Sequence, residues 1–346
     1  EGMSLEVMEG GYDAGDGDTK LASLTFGASF ADGRGSSIFN IRTDEQGSVF
    51  ARDRAPNTGT DVFYYGWYYG ADFGAPYDSY ILDPGYSSYP PQGRFFVSGS
   101  NGDQTGMKTF DCSQRDIDSV TKSSTVVDWG GSAACGFNRT HYRQLEIPLD
   151  RYSVFNSNKY EFDNGNTFFT ELAFTSVDST SSFEPVPFSS EDAFGGIGTK
   201  GFNIRNPYMP EAIRAAALAA QGVLDANGDY TLGTDASGNT VAGMYLNAAG
   251  NEIEVPFIRR LAEFGGRGSE NTRQTFRAAF GFDGTLSNGM DWDAYYSYGF
   301  SDRMQYSGAY NAANMAYAVN AITGPTGQPV CADPIAQARN CVPINL

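Results

Sequence analysis

Residues 20–43 read KLASLTFGASFADGRGSSIFNIRT, two runs of alternating side chains around a turn. Successive side chains of an extended strand point to opposite faces. Ala22, Leu24, Phe26, Ala28 and Phe30 therefore share one face, and Ser23, Thr25, Gly27 and Ser29 share the other. After the turn ADGRGS, Phe39, Ile41 and Thr43 lie on one face with Asn40 and Arg42 opposite. Gly33 and Gly35 are placed to take the positive φ that a tight hairpin needs. One flank of the hairpin is oily along its length, and what that flank touches decides the fold.

The same period recurs along the chain. Strands are predicted over about 4–11, 19–30, 36–46, 151–162, 167–178, 270–282 and 290–302. In the second hairpin Phe168, Thr170, Leu172 and Phe174 face one way; in the third, Trp292, Ala294, Tyr296 and Tyr298 do. Turns inside the hairpins are short, whereas the segments between them, about 52–150, 179–269 and 303–346, are long. Structureless connections of that length are uncommon in a compact domain. Alternation between a tight-turn end and a long-loop end is the asymmetry of an outer-membrane barrel.

These strands predict an all-β fold, an antiparallel transmembrane β-barrel with lipid on the oily side and a wet or plugged lumen on the other, and with long external loops carrying short helices. Aromatic residues near strand ends, Phe30, Phe39, Trp292 and Tyr298 among them, sit where an interfacial girdle belongs. The same alternation also suits a soluble sandwich whose oily faces meet each other.

Composition narrows the function. The chain has 346 residues, a formal charge of −18 and a single histidine, His141. Such acidity excludes a nucleic-acid binder, which needs a basic face. No apolar run is long enough for a membrane-spanning helix, and the opening EGMSLEVMEGG lacks the basic start and apolar core of a signal peptide. The four cysteines fall in two local pairs, Cys112 with Cys135 and Cys331 with Cys341, without zinc-ligand spacing. Disulfides formed in an oxidising compartment fit them, each removing about 2–4 kcal/mol of unfolded-state freedom.

Four stretches resemble the barrel portion of bacterial TonB-dependent outer-membrane receptors: 5–41, LEVMEGGYDAGDGDTKLASLTFGASFADGRGSSIFNI; 151–176, RYSVFNSNKYEFDNGNTFFTELAFTS; 259–299, RRLAEFGGRGSENTRQTFRAAFGFDGTLSNGMDWDAYYSYG; and 331–346, CADPIAQARNCVPINL. The third is the most specific, with an RR..E.G.R segment, a strand, a glycine-containing turn and a W.W.Y.YG-like strand in order. Here the last reads Asp291-Trp292-Asp293-Ala294-Tyr295, with one aromatic replaced. NPYMPEAIRAA, 206–216, resembles a short external-loop helix of these receptors. The resemblance implies a barrel of 22 strands behind a plug domain, in a bacterial outer membrane, importing a small-molecule or oligomeric nutrient with energy delivered by the TonB complex. About seven of those strands are expected in 1–346, which reads as a partial barrel without the plug.

Candidate binding residues lie in VFYYGWYYGADFGAPYDSYILDPGYSSYPPQGRFF, 62–96, where Tyr64, Tyr65, Trp67, Tyr68 and Tyr69 offer flat rings to a nutrient or a surface protein partner. The same rings equally suit a loop that packs on itself. Asp225, Asn227 and Asp229 have the alternate spacing of a calcium loop, but Ala236 stands where the bidentate glutamate belongs and Gly228 comes early, so 225–235 reads as a hydrophilic turn. The turn follows an alanine-rich helix over 209–223, for which Gly222 fits a C-cap. No GxSxG elbow is present, and nothing in the sequence aligns Glu171, Asp291 or Asp293 as an acid/base pair; no enzyme, metal or cofactor is expected. A surface anchor and a soluble carbohydrate-binding protein are the other functions this sequence suits.

Overall fold

The computed structural model describes residues 2–54, 86–112, 123–131 and 135–345. They form chiefly antiparallel strands, and no helix among them is long and apolar enough to cross a membrane. The chain divides into two compact units: Glu1–Ala55, Tyr142–Phe183 and Arg267–Gly308 in one, and Pro56–His141, Glu184–Gly266 and Ala309–Leu346 in the other.

The first unit is a seven-stranded meander: β1 (Gly2–Gly10), β2 (Thr19–Phe30), β3 (Gly35–Gln46), β4 (Leu149–Glu161), β5 (Thr167–Phe183), β6 (Arg267–Thr285) and β7 (Asp291–Ser307), each antiparallel to the next. All seven match predicted strands. β5 ends at Phe183 rather than 178, and β7 at Ser307 rather than 302. Short turns over 31–34, 162–166 and 286–290 lie at one end of the sheet, and the long connections leave from the other. In the turns over 162–166 and 286–290 the fourth residue is a glycine in the left-handed region, Gly165 at φ 77° and Gly289 at 82°. A side chain there would strain the bulge that closes the hairpin.

The register brings every oily flank to one side. Leu5, Leu24, Ile41, Val154, Phe174, Phe276 and Phe300 form one rung across all seven strands. Met3, Phe26, Phe39, Asn156, Leu172, Ala278 and Tyr298 form the next on that face. On the same face toward the long-loop end, Glu9, Lys20, Glu45, Asp150, Asp178 and Thr272 share a rung, so the apolar band stops at an edge of polar groups. At the tight-turn end it stops at aromatic rings: Phe30 stacks on Tyr160 with centroids 6.2 Å apart, Tyr160 meets Phe162 at 5.0 Å, and Phe168 meets Phe282 at 5.0 Å.

No described residue of this unit covers this face. Leu5 is 68% exposed, Phe26 48%, Leu172 46% and Phe280 51%. Its few polar members satisfy one another: Ser37 Oγ donates to Asn158 Oδ1, and the Asn158 amide donates to Asn156 Oδ1 and Thr170 Oγ1. The opposite face is mixed, with Met8, Ile38, Phe155 and Tyr295 among its exposed side chains, but it holds the charge pairs. Asn40 Nδ2 donates to Ser23 and Thr25, Arg42 and Arg151 both reach Asp44, and Arg277 Nη1 lies 2.7 Å from Glu171 Oε2.

One predicted glycine role is corrected. Gly33 takes φ 88° as expected, but Gly35 is an ordinary strand residue. A Cβ on Gly35 would overlap the Phe30 ring, so it is glycine to let that ring lie across the strand.

The second unit has its own core, so its segments are folded structure and not simple loops. Pro187–Ser189, Phe257–Arg260, Arg94–Phe95, Lys108–Phe110 and Val126–Asp128 make a five-stranded sheet in that order. Helices α1 (Ser190–Phe194), α2 (Glu211–Gln221), α3 (Ala312–Val319) and α4 (Pro334–Ala338) accompany it. Phe95, Phe188, Phe202, Ile204, Ile213, Ile253, Phe257 and Val319 belong to one buried cluster. The helix predicted over 209–223 is α2, and Ile213 and Ala217 bury its inner face in that cluster. Gly222 is its C-cap with extended backbone, not a left-handed one; a Cβ there would press on Leu218 O and the Tyr230 ring. The conspicuous RR..E.G.R segment is structural: Arg259 pairs with Glu263 at 2.9 Å, and the buried Arg260 reaches Pro185 O and Ser87 Oγ, both at 2.8 Å.

Candidate functional site

A cavity of about 670 Å³ opens in the second unit. Its floor is a two-residue ladder in which Phe202 pairs with Val255 and Asn203 with Glu254. Strand alternation sends Phe202 and Val255 into the core and leaves Asn203 and Glu254 on the cavity side. Gly201 permits this pairing, because a Cβ there would fall 2.2 Å from Val255 O.

The walls come from distant parts of the sequence. Gln221, the last residue of α2, donates from Nε2 to Val97 O at 2.7 Å and to Glu254 O at 3.1 Å. α3 contributes Ala316 and Tyr317, and its C-cap Asn320 completes that side. Asn247 and Asn251 come from a tight turn in which Asn247 Oδ1 accepts the N–H groups of Ala249 and Asn251. The turn over 225–229 has the same build: Asp225 Oδ1 accepts from Asn227 N at 2.8 Å and Asp229 N at 3.0 Å. Those N–H groups hold the Asp225 carboxyl below its ordinary pKa, so the calcium-like spacing serves a turn.

The charges in the cavity largely cancel. Arg205 grips Glu252 through Nε and Nη2, the latter at 3.1 Å. Glu254 accepts from Thr199 Oγ1 at 2.6 Å and Lys200 N at 2.9 Å, yet burial raises its pKa above the ordinary value. Asp333 caps α4 by accepting from Ala336 N at 2.7 Å. Asn320 Oδ1 is buried and has no hydrogen-bond partner among the described residues. A buried acceptor left unpaired costs about 1–3 kcal/mol, and with almost no accessible surface this one is closed to the cavity as well.

Glu254 gives a pH dependence whose sign is fixed. The folded chain holds the proton more tightly than the unfolded chain, whose carboxyl titrates near 4.5. Its contribution to stability is largest below 4.5 and is lost as pH rises through the higher folded value. Urea midpoints for the second unit, measured from pH 4.5 to about 7, are expected to fall more steeply in the wild type than in Glu254→Gln, which cannot ionise. Equal slopes would contradict the assignment.

Tyr64, Tyr65, Trp67, Tyr68 and Tyr69 lie outside the described residues. Both cysteine pairs are disulfides, with Cα atoms 5.7 Å apart for Cys112–Cys135 and 6.2 Å for Cys331–Cys341. The second clasps α4, whose cap Asp333 lines the cavity. Glu171, Asp291 and Asp293 are not brought together as an acid/base pair: Glu171 is ion-paired in β5, while Asp291 opens β7 and accepts from Thr285 Oγ1. No group of three metal-ligating side chains occurs among the described residues.

Sequence reasoning missed the cavity entirely. Asn203, Glu254 and Asn320 are unremarkable in sequence, and only the ladder and the end of α3 bring them together. Comparison with protein-family models gave no match, and neither did comparison with curated proteins.

Proposed function

We propose that this chain is barrel wall and surface domain of a TonB-dependent transporter, importing a scarce nutrient across a bacterial outer membrane. One observation carries the reading: a seven-stranded antiparallel meander whose apolar face is continuous in register, ends at a row of rings on one side and at polar groups on the other, and is covered by no described residue of its own unit. In water such a face is a liability, since exposed apolar patches of this extent drive association. In a bilayer it is the lipid-facing surface of a β-barrel, and every strand carries the polar inward partner that a lumen needs. From Tyr152 to Tyr160 β4 runs about 26 Å, which at a tilt of about 40° spans roughly 20 Å along the membrane normal. That is close to the height of the apolar band of such barrels.

Substrate would meet the second unit, and the TonB complex would act through a plug domain. Spin labels placed on cysteine variants of the native gene product in its own outer membrane test the wall. Labels at positions 24, 26, 172 and 280 are expected to collide with dissolved oxygen, and labels at 23, 25, 171 and 279 with a water-soluble nickel chelate. The same reagent reaching both sets equally would defeat the reading. Transport separates from anchoring by growth under limiting iron, cobalamin or neutral saccharide: the advantage conferred by the gene should vanish without TonB, and its persistence would indicate an anchor.

A further inference from the structure

We infer that the cavity of the second unit binds a neutral, hydroxyl-rich ligand, a short oligosaccharide. The inference rests on the transporter reading only in treating this ligand as cargo; binding itself needs no membrane.

Volume comes first. About 670 Å³ falls in the range that encloses a drug-sized ligand, and it leaves room for several sugar units. Electrostatics then restrict the class. The cations Lys200 and Arg205 face the carboxylates Glu252, Glu254 and Asp333, but Arg205 is already neutralised by Glu252 and burial favours the protonated form of Glu254. The cavity therefore offers no concentrated field of either sign, and the whole chain, at −18, repels anions at long range. A multiply charged chelate or a phosphate ester would meet Lys200 alone as counter-ion, with the carboxylates of Glu252 and Asp333 beside it.

What remains on offer is a mixed set of hydrogen-bonding groups. Asn203 accepts Arg205 N with its Oδ1, and Asn247 uses its Oδ1 within its turn, so both amides keep their N–H donors. The carboxylate oxygens of Glu252, Glu254 and Asp333 supply acceptors beside them. Each sugar hydroxyl is donor and acceptor at once and can answer either kind of group. Tyr317 adds an aromatic ring beside them, a surface for the apolar face of a pyranose. A hydrocarbon ligand would strand these amides, whereas a polyol satisfies them.

Titration calorimetry on the folded full chain in detergent micelles tests this with neutral α-glucan, β-glucan, β-mannan and β-galactan tetrasaccharides, and with an anionic galacturonan tetrasaccharide for contrast. At least one neutral probe is expected to bind, and the anionic probe at least about tenfold more weakly. Asn247→Asp, which keeps the turn acceptor and removes the amide donor, and Tyr317→Ala should each weaken binding about tenfold, the size of one lost hydrogen bond or stacking contact. Asn203→Asp, nearly isosteric, keeps the acceptor for Arg205 N and loses the amide donor, covers the case in which Asn247→Asp does not fold, and should weaken binding likewise. Ser287→Ala, in a tight turn of the other unit, should leave binding unchanged. Absence of binding by every neutral probe, equal binding of the anionic one, or affinities untouched by the changes at 203, 247 and 317 would each overturn the inference. The spin-label result stands apart: failure of binding with lipid-facing labels refutes the ligand class alone, and binding with water-facing labels refutes the transporter alone.

Discussion

On the transporter reading, Leu172→Arg is expected to remove the protein from the outer membrane. Leu172 sits mid-strand in β5 on the uncovered apolar face, between Asn156 on β4 and Ala278 on β6. On a lipid-facing strand near the bilayer midplane, an arginine costs about 2–4 kcal/mol. No acidic side chain occurs on its rung to pair with it: the others are Met3, Phe26, Phe39, Asn156, Ala278 and Tyr298. The control lies one face away. Ser157 on β4 is directly opposite Glu171, so Ser157→Arg places its guanidinium beside a carboxylate on the polar side and should change stability by less than about 1 kcal/mol. The measurement is the amount of folded protein in isolated outer membranes at equal synthesis. A large drop for Leu172→Arg beside near-normal Ser157→Arg is the expected pattern. If the two fall equally, the faces are not distinguished by solvent, and the meander is half of a sandwich whose second layer comes from elsewhere.

That asymmetry between faces is also what made the meander legible. Phe26 and Ser23 announce opposite solvents within three residues, and a period of two, once broken by glycine-bearing turns, leaves few other structures. Legibility ended where the band ended. Beyond Val177 in β5, and before Thr275 in β6, both faces are polar: Ser179, Thr180, Ser181 and Ser182 pair with Asn271, Glu270, Ser269 and Gly268. Backbone ladder bonds alone continue those strands, and an alternation argument cannot see backbone bonds.

The second unit was opaque for a different reason. Its sheet is built from strands such as Arg94–Phe95 and Phe257–Arg260, too short to show any period, and its core gathers Phe95, Phe188, Phe257 and Val319 from segments far apart in the chain. α2 was the exception, because an alanine-rich run with Pro210 at its N-cap is a local signal. Asn320 was invisible as a lining residue: it borders the cavity only because α3 ends against a floor of Asn203 and Glu254.

Phe257→Ala should show that this core and the cavity are one mechanical object. Phe257 is 1% exposed, and its ring lies 4.8 Å from Phe202, 5.6 Å from Phe188 and 6.3 Å from Phe95. Truncating a buried phenylalanine to alanine costs about 3–5 kcal/mol, because the transfer energy is lost and the surrounding rings only partly close the void. Against a typical domain stability of about 5–15 kcal/mol, that takes up a large fraction. Amide exchange is expected to accelerate through 187–189, 202–204, 211–221 and 253–260, while β5 and β6, stabilised by their own long ladder, keep their protection. The void also opens directly behind Phe202, whose strand neighbour is Asn203. Loosening of the ladder between Asn203 and Glu254 should therefore weaken the binding of any neutral tetrasaccharide that the wild type holds, although Phe257 itself does not line the cavity. Loss of exchange protection in both units alike would mean that the division into two cores is wrong; unchanged affinity with a loosened core would mean that the cavity floor draws its rigidity from Gln221 and the Arg205–Glu252 pair instead.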